Sequence, residues 1–173
     1  VMASILLGAH MSAAGGAHKA VERAGEFNCQ CVQLFLNAPQ AWPKPPERSA
    51  TRGASSADSA MAASVNLFED AIVRTGIQHS VAHSCYLINL ASPDKELRHR
   101  SIDALVLELR RADDLGIPHL VLHPGAYTTS SEEAGLRPVA SGLNEVHPQT
   151  RALATACLLG NTAGQGHCPG APF

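Results

Sequence analysis

The sequence predicts an α/β protein, a parallel sheet of about five strands alternating with four helices. Three observations carry this. Short apolar runs alternate with stretches whose apolar residues recur every three or four positions, glycine or proline punctuates the junctions, and no GxGxxG follows the first strand. The alternation implies right-handed βα units. Two architectures satisfy it, an open doubly wound sheet and part of a (β/α)8 barrel. The stretch "GAHMSAAGG" is not a phosphate loop, which makes the nucleotide-binding open sheet the weaker of the two. A complete barrel takes about 250 residues, and these 173 reach a little past half of one.

The elements follow in order. "SILLGAH" (Ser4–His10) is a short apolar run ending in a polar loop, and "GGAHKAVERAGEF" after it has helical character. "CVQLFL" (Cys31–Leu36) reads as a second strand bounded by Asn37 and Pro39, and Asn37–Ser56, rich in proline, serine and arginine, as a long loop. Met61, Val65, Phe68 and Ile72 predict a helix from Asp58 to Thr75, which Gly76 ends before "IQHSVAH" gives a third strand. The clearest helix has Ser92 as cap, Pro93 in its first turn and Gly116 at its close, with Ile102, Leu105, Val106, Leu109 and Ala112 as one apolar stripe. His119–Gly125 and Ala152–Leu159 are the fourth and fifth strands. Ser130–His147 should be helical by its place, although Gly135, Pro138 and Gly142 oppose it.

At 45% hydrophobic and 16% charged, the composition is that of a globular chain forming one domain over residues 1–173, with 167–173 an irregular tail. A net charge of −2 gives no whole-molecule attraction to nucleic acid or an anionic membrane. Polyanion binding then needs a local patch or bound metal ions. The first ten residues lack the basic start of a signal peptide and no run approaches transmembrane length, which predicts a cytoplasmic protein without a membrane partner. Val1 before Met2 suggests that the natural start lies elsewhere. The five cysteines form no C-x-x-C pair, so reduced thiols are expected, with Cys29 and Cys31 serving core packing.

Function in parallel α/β folds gathers at the C-terminal ends of the strands. There the sequence places His10, His83 and His123, after strands one, three and four. Imidazole is a good zinc ligand, and a catalytic zinc commonly takes three protein ligands plus water. His79 and His119 begin strands, on the opposite rim, and His18 and His99 lie on helices. The carboxylates do not cluster: Glu108, Asp113 and Asp114 belong to one helix, and Glu132 and Glu133 to its neighbour.

At these residues a resemblance emerges. "LGAHMSAAGG", "VQLF" before a loop ending in Trp42, "HSCYLINLASP", "LVLHPGAY" and "NTAGQG" resemble, in that order, the endonuclease IV family of apurinic/apyrimidinic endonucleases. The resemblance implies the N-terminal portion of a TIM barrel and a zinc-dependent DNA repair enzyme that cuts duplex DNA five-prime of abasic sites, using three zinc ions. It implies His83 and His123 as two ligands of one zinc, and Tyr86 on a loop that approaches the DNA. It also implies His10 and Ser12 in the first strand-end loop, and Asn161 lining the site. Two positions depart from the family. Gly160 stands where the family has a glutamate bridging two zincs, and Gln40 where it has an arginine that wedges into the duplex. The remaining family ligands would fall beyond Phe173. The expectation is therefore at most one partial zinc site, with weak or absent cleavage and self-association through open sheet edges. Two alternatives stand beside it: a non-catalytic remnant that binds zinc or DNA, and a sugar isomerase or epimerase of the xylose-isomerase-like barrels.

Overall fold

The computed structural model describes residues 5–45, 56–128 and 131–161. The tail from 167, part of the long loop and the glycine-rich stretch after Asn161 lie outside the described residues.

Nine elements alternate: β1 (Gly8–His10), α1 (Ala17–Glu26), β2 (Cys31–Phe35), α2 (Ser56–Thr75), β3 (His79–His83), α3 (Lys95–Asp114), β4 (His119–Leu122), α4 (Glu132–Thr150) and β5 (Ala156–Leu159). The strands are all parallel and lie in chain order, β1-β2-β3-β4-β5. A doubly wound sheet reverses direction at its middle; this one does not. Sequential order with right-handed crossovers puts every helix on one side, and the chain is therefore part of a (β/α)8 barrel.

Strand periodicity sorts the side chains. Val32, Leu34, Ala82, Leu120 and Leu122 point toward the helices and are almost completely buried. They meet Val21, Phe68, Leu105, Leu109 and Ile117 in one core. Each fully buried leucine contributes about 1.5–3 kcal/mol to that layer. The intervening residues, Gln33, Phe35, Val81 and Val121, lie on the other face and are only half-buried. That face would line the interior of a closed barrel. Cys29 packs against the core from before β2, whereas Cys31 falls on the interior face, so the two thiols do not form the common core patch expected of them.

Several boundaries differ from expectation: β4 ends at Leu122 rather than Gly125, and β5 begins at Ala156 rather than Ala152. The α3 helix is capped not by Ser92 but by Asp94, whose Oδ1 accepts from the amides of Glu96 at 2.8 Å and Leu97 at 3.2 Å. A carboxylate at an N-terminus meets both the free amides and the positive end of the helix dipole. Ser92 serves one turn earlier, its Oγ accepting from the Asp94 amide. The α4 helix runs through both Pro138 and Pro148. Of its two glycines, Gly135 has a packing reason, since a Cβ there would fall 2.6 Å from Tyr127 Cβ, whereas a Cβ at Gly142 would lie 3.3 Å from Leu90 and in ordinary contact, 3.6 Å, with Ile102 of α3.

Candidate metal and nucleic-acid site

The strand register determines which side chains meet on the interior face. His10 aligns with Gln33 across β1 and β2, Phe35 with His83 across β2 and β3, and His83 with Val121 across β3 and β4. Aromatic rings then form a continuous cluster. Phe35 stands with its centroid 4.5 Å from His10, 5.2 Å from His83 and 5.1 Å from Tyr86. His83 lies 5.2 Å from His123, 6.1 Å from His10 and 5.9 Å from Tyr86. The three strand-end histidines are thus neighbours, with Phe35 packed among His10, His83 and Tyr86.

Each imidazole has a distinct environment. His83 is 9% exposed, and its Nδ1 lies 2.8 Å from the Ser84 carbonyl oxygen. A carbonyl can only accept, so Nδ1 carries the proton and Nε2 keeps a free lone pair. Burial holds the His83 pKa below the usual imidazole value, and nearby His123 and His10 act in the same direction against the opposing Ser84 bond. His10 is exposed and pairs through Nδ1 with Gln33 Oε1 at 3.0 Å. His123 is different: its Nδ1 is buried with no hydrogen-bond partner among the described residues. A buried polar atom left unpaired costs about 1–3 kcal/mol.

Gly160 faces that atom. Its amide donates to the Leu122 carbonyl at 2.9 Å, which holds it beside the end of β4. A Cβ built there would lie 3.1 Å from His123 Nδ1 and 2.9 Å from Cε1. The position where the resemblance expects a carboxylate therefore aims at the unpartnered nitrogen.

These features decide how well zinc fits. A histidine that gives one ring N–H to a backbone carbonyl and leaves the other nitrogen bare is prepared as a metal ligand. His83 meets that description, and His123 offers a desolvated nitrogen. However, among the described residues no group of three or more His, Cys, Asp or Glu side chains could hold a metal ion. Two imidazoles fit part of a zinc site and do not complete one.

The other expected residues lie around this cluster. Tyr86 is 63% exposed, stands edge-on to Phe35, and donates its amide to the Pro39 carbonyl at 2.8 Å. Ser12 is exposed and lines a cleft of about 610 Å³ with His10, Phe35, Asn37 and Pro39. Arg23 fixes the Ser12 loop by donating to the carbonyls of Ser12 and Ala14. Gln40 is exposed on the turn closed by the Ala41 amide and the Ala38 carbonyl. Asn161 is exposed immediately after Gly160.

Sequence reasoning passed over Glu108. It is 1% exposed, and both its carboxylate oxygens lie 3.2 Å from the Cys85 amide, with Asn37 Nδ2 at 3.4 Å. Burial pushes its pKa up to about 7, against the lowering effect of those hydrogen bonds. The sequence held a signal: Glu108 sits three residues after Leu105 and four before Ala112, inside the apolar stripe of α3. Asn89 was also missed. Its side chain mimics a peptide, accepting from the Ala126 amide at 3.1 Å and donating to the Ala126 carbonyl at 3.0 Å. This pins the loop that follows His123.

A family model described as "Xylose isomerase-like TIM barrel" matches residues 21–172. Curated relatives named "Probable endonuclease 4" include that of Citrifermentans bemidjiense, 36% identical over 161 residues, covering 93% of this chain and 52% of the relative. The relative of the same name from Chloroflexus aurantiacus is 40% identical over 169 residues, covering 96% and 54%. The chain spans about half the length of the curated relatives it matches. Among solved structures, endonuclease IV from Thermus thermophilus superposes with a TM-score of 0.67 at 29% identity, covering 93% of this chain and 53% of that one. A D-tagatose 3-epimerase-like protein reaches 0.65 at 15% identity, a likeness of fold alone.

Proposed function

The chain belongs to the xylose isomerase-like TIM barrel family, and we propose that within it the chain derives from endonuclease IV-type hydrolases, which cut duplex DNA on the five-prime side of abasic sites. One observation carries the reading. Two histidines end adjacent strands 5.2 Å apart, one with a bare Nε2 and one with a buried, unpartnered Nδ1, beside an exposed tyrosine. Such a pair suits a metal acting on a phosphate, and it sits in a chain 36–40% identical to relatives named for endonuclease activity.

His83 through Nε2 and His123 through Nδ1 would hold zinc. Bound zinc supplies polarisation of a phosphate oxygen and an acidified water. The chain's own contributions are more limited. Ser84 fixes the His83 tautomer, Phe35 packs against His83 and His10, and exposed Tyr86 offers a ring face on which an unpaired or displaced base can stack. With net charge −2, duplex binding depends on these local groups rather than on the whole surface. Because Gly160 supplies no carboxylate, cleavage by this chain is weak or absent.

Nicking of a duplex containing one abasic site, with added zinc and a His83→Ala control, tests the reading. Zinc-dependent nicking that disappears in the control supports an assembled site. A folded chain that binds zinc or the duplex without nicking it is the non-catalytic remnant favoured by Gly160. A chain that binds neither ends the proposal.

A further inference from the structure

Glu108 is a fully buried carboxylate with no ion pair among the described residues. Burying such a group is costly unless several donors converge on it. Here they do, and they come from different loops. The Cys85 amide belongs to the loop after β3, the Asn37 side chain to the loop after β2, and the Cys85 thiol also faces the carboxylate. In its ionised form the carboxylate is acceptor-only and satisfies all three donors, whereas an amide would oppose a donor to a donor. The same two loops are joined again by the Tyr86 amide donating to Pro39, and the Tyr86 ring also packs on Phe35, the last residue of β2. The two loops carry Gln40 and Tyr86.

We propose that Glu108 is a positioning residue that locks the loops after β2 and β3 into one rigid platform presenting Gln40 and Tyr86. Its consequence for DNA rests on the function proposed above; the locking itself does not. A mere core-filling role would make Glu108 matter for global stability alone. Positioning makes it matter for two loops in particular, and makes Asn37, at the other end of the link, matter for Tyr86.

The test is residue-resolved amide exchange by NMR on the full chain, its Glu108→Gln variant and its Asn37→Ala variant, without zinc or DNA. The expected result is exchange at Cys85 and Tyr86 about tenfold faster in both variants, with the β4 and β5 amides unchanged. Affinity for an abasic duplex should fall about fivefold, or about 1 kcal/mol, in each. Wild-type exchange at Cys85 and Tyr86 in both variants overturns the proposal, as does acceleration spread evenly over all strands. If Glu108→Gln does not fold, Asn37→Ala decides alone. A duplex that the wild-type chain never binds counts against the proposed function, and the exchange result still decides the clamp.

Discussion

A side chain at Gly160 would start 3.1 Å from the unpartnered Nδ1 of His123, so the chain's one buried orphan nitrogen among the described residues points at a residue with nothing to offer it. The Gly160 backbone is not in the left-handed region, and a side chain there requires both the His123 ring, whose Cε1 would lie 2.9 Å from the new Cβ, and Val121, whose Cγ1 would lie 3.1 Å from it, to move aside. Gly160→Glu should therefore tighten zinc binding at least tenfold, on the order of 1.4 kcal/mol, by adding a third ligand. Competition with a chromophoric chelator reads this directly. Equal affinity in the two proteins would show that His123 does not face a metal.

His83 and His123 should act as a unit toward zinc. His83→Ala and His123→Ala are each expected to remove most of the residual affinity, and the double variant to lose little more, because ligands of one ion are not additive. Independent, additive losses would place the two rings at different sites.

Glu108 should tilt the pH dependence of stability. Its folded pKa of about 7 lies above the ordinary glutamate value of 4.5, so between those values the folded state holds a proton that the unfolded state has released. Stability then falls as pH rises through this window and levels off above it, by about 3 kcal/mol in total from this group. Urea unfolding across the window should show Glu108→Gln losing that slope. An unchanged slope would mean that Glu108 is ionised throughout.

Gly125 should be intolerant of substitution. Its φ is +98°, and a Cβ there would fall 2.2 Å from Asn89 Oδ1, within the side-chain clamp on Ala126. Gly125→Ala is expected to cost about 2–3 kcal/mol and to displace the loop after His123. A melting temperature equal to that of the parent would show that the clamp is soft.

The outer strands of the described sheet, β1 and β5, each pair on one side only, and Leu158 and Leu159 on β5 are 42% and 54% exposed. Concentration-dependent association is expected in sedimentation, reduced by Leu159→Lys, which sets a charge on the open edge. A strictly monomeric parent at high concentration would rule this out.

The sequence made the alternation and the strand-end histidines legible because both are local patterns. Apolar runs and helical stripes announce themselves within a dozen residues, and "VAH" and "VLH" each place a histidine where a strand runs out. Barrel against open sheet was not legible from periodicity, because strand order is a tertiary fact that only pairing reveals. The α3 cap went to Ser92 because Ser-Pro is a familiar start, while the Asp94 carboxylate two residues later binds two amides. Glu108 escaped because a charged residue on a helix is ordinarily solvated; only its position inside an apolar stripe marked it. The orphan nitrogen of His123 had no sequence signal at all, since it depends on where Gly160 comes to rest.

Each strand of this sheet pairs with the strand that precedes it in the chain. A ribosome releasing the protein from its N-terminus can therefore add each βα unit to an edge already in place, with no strand waiting for a partner made much later. Loop closure at every addition spans only one helix and its connections, which keeps the entropy cost small and nearly constant along synthesis. Besides the outer edge of β1, the growing chain exposes one further edge at a time, the edge made last.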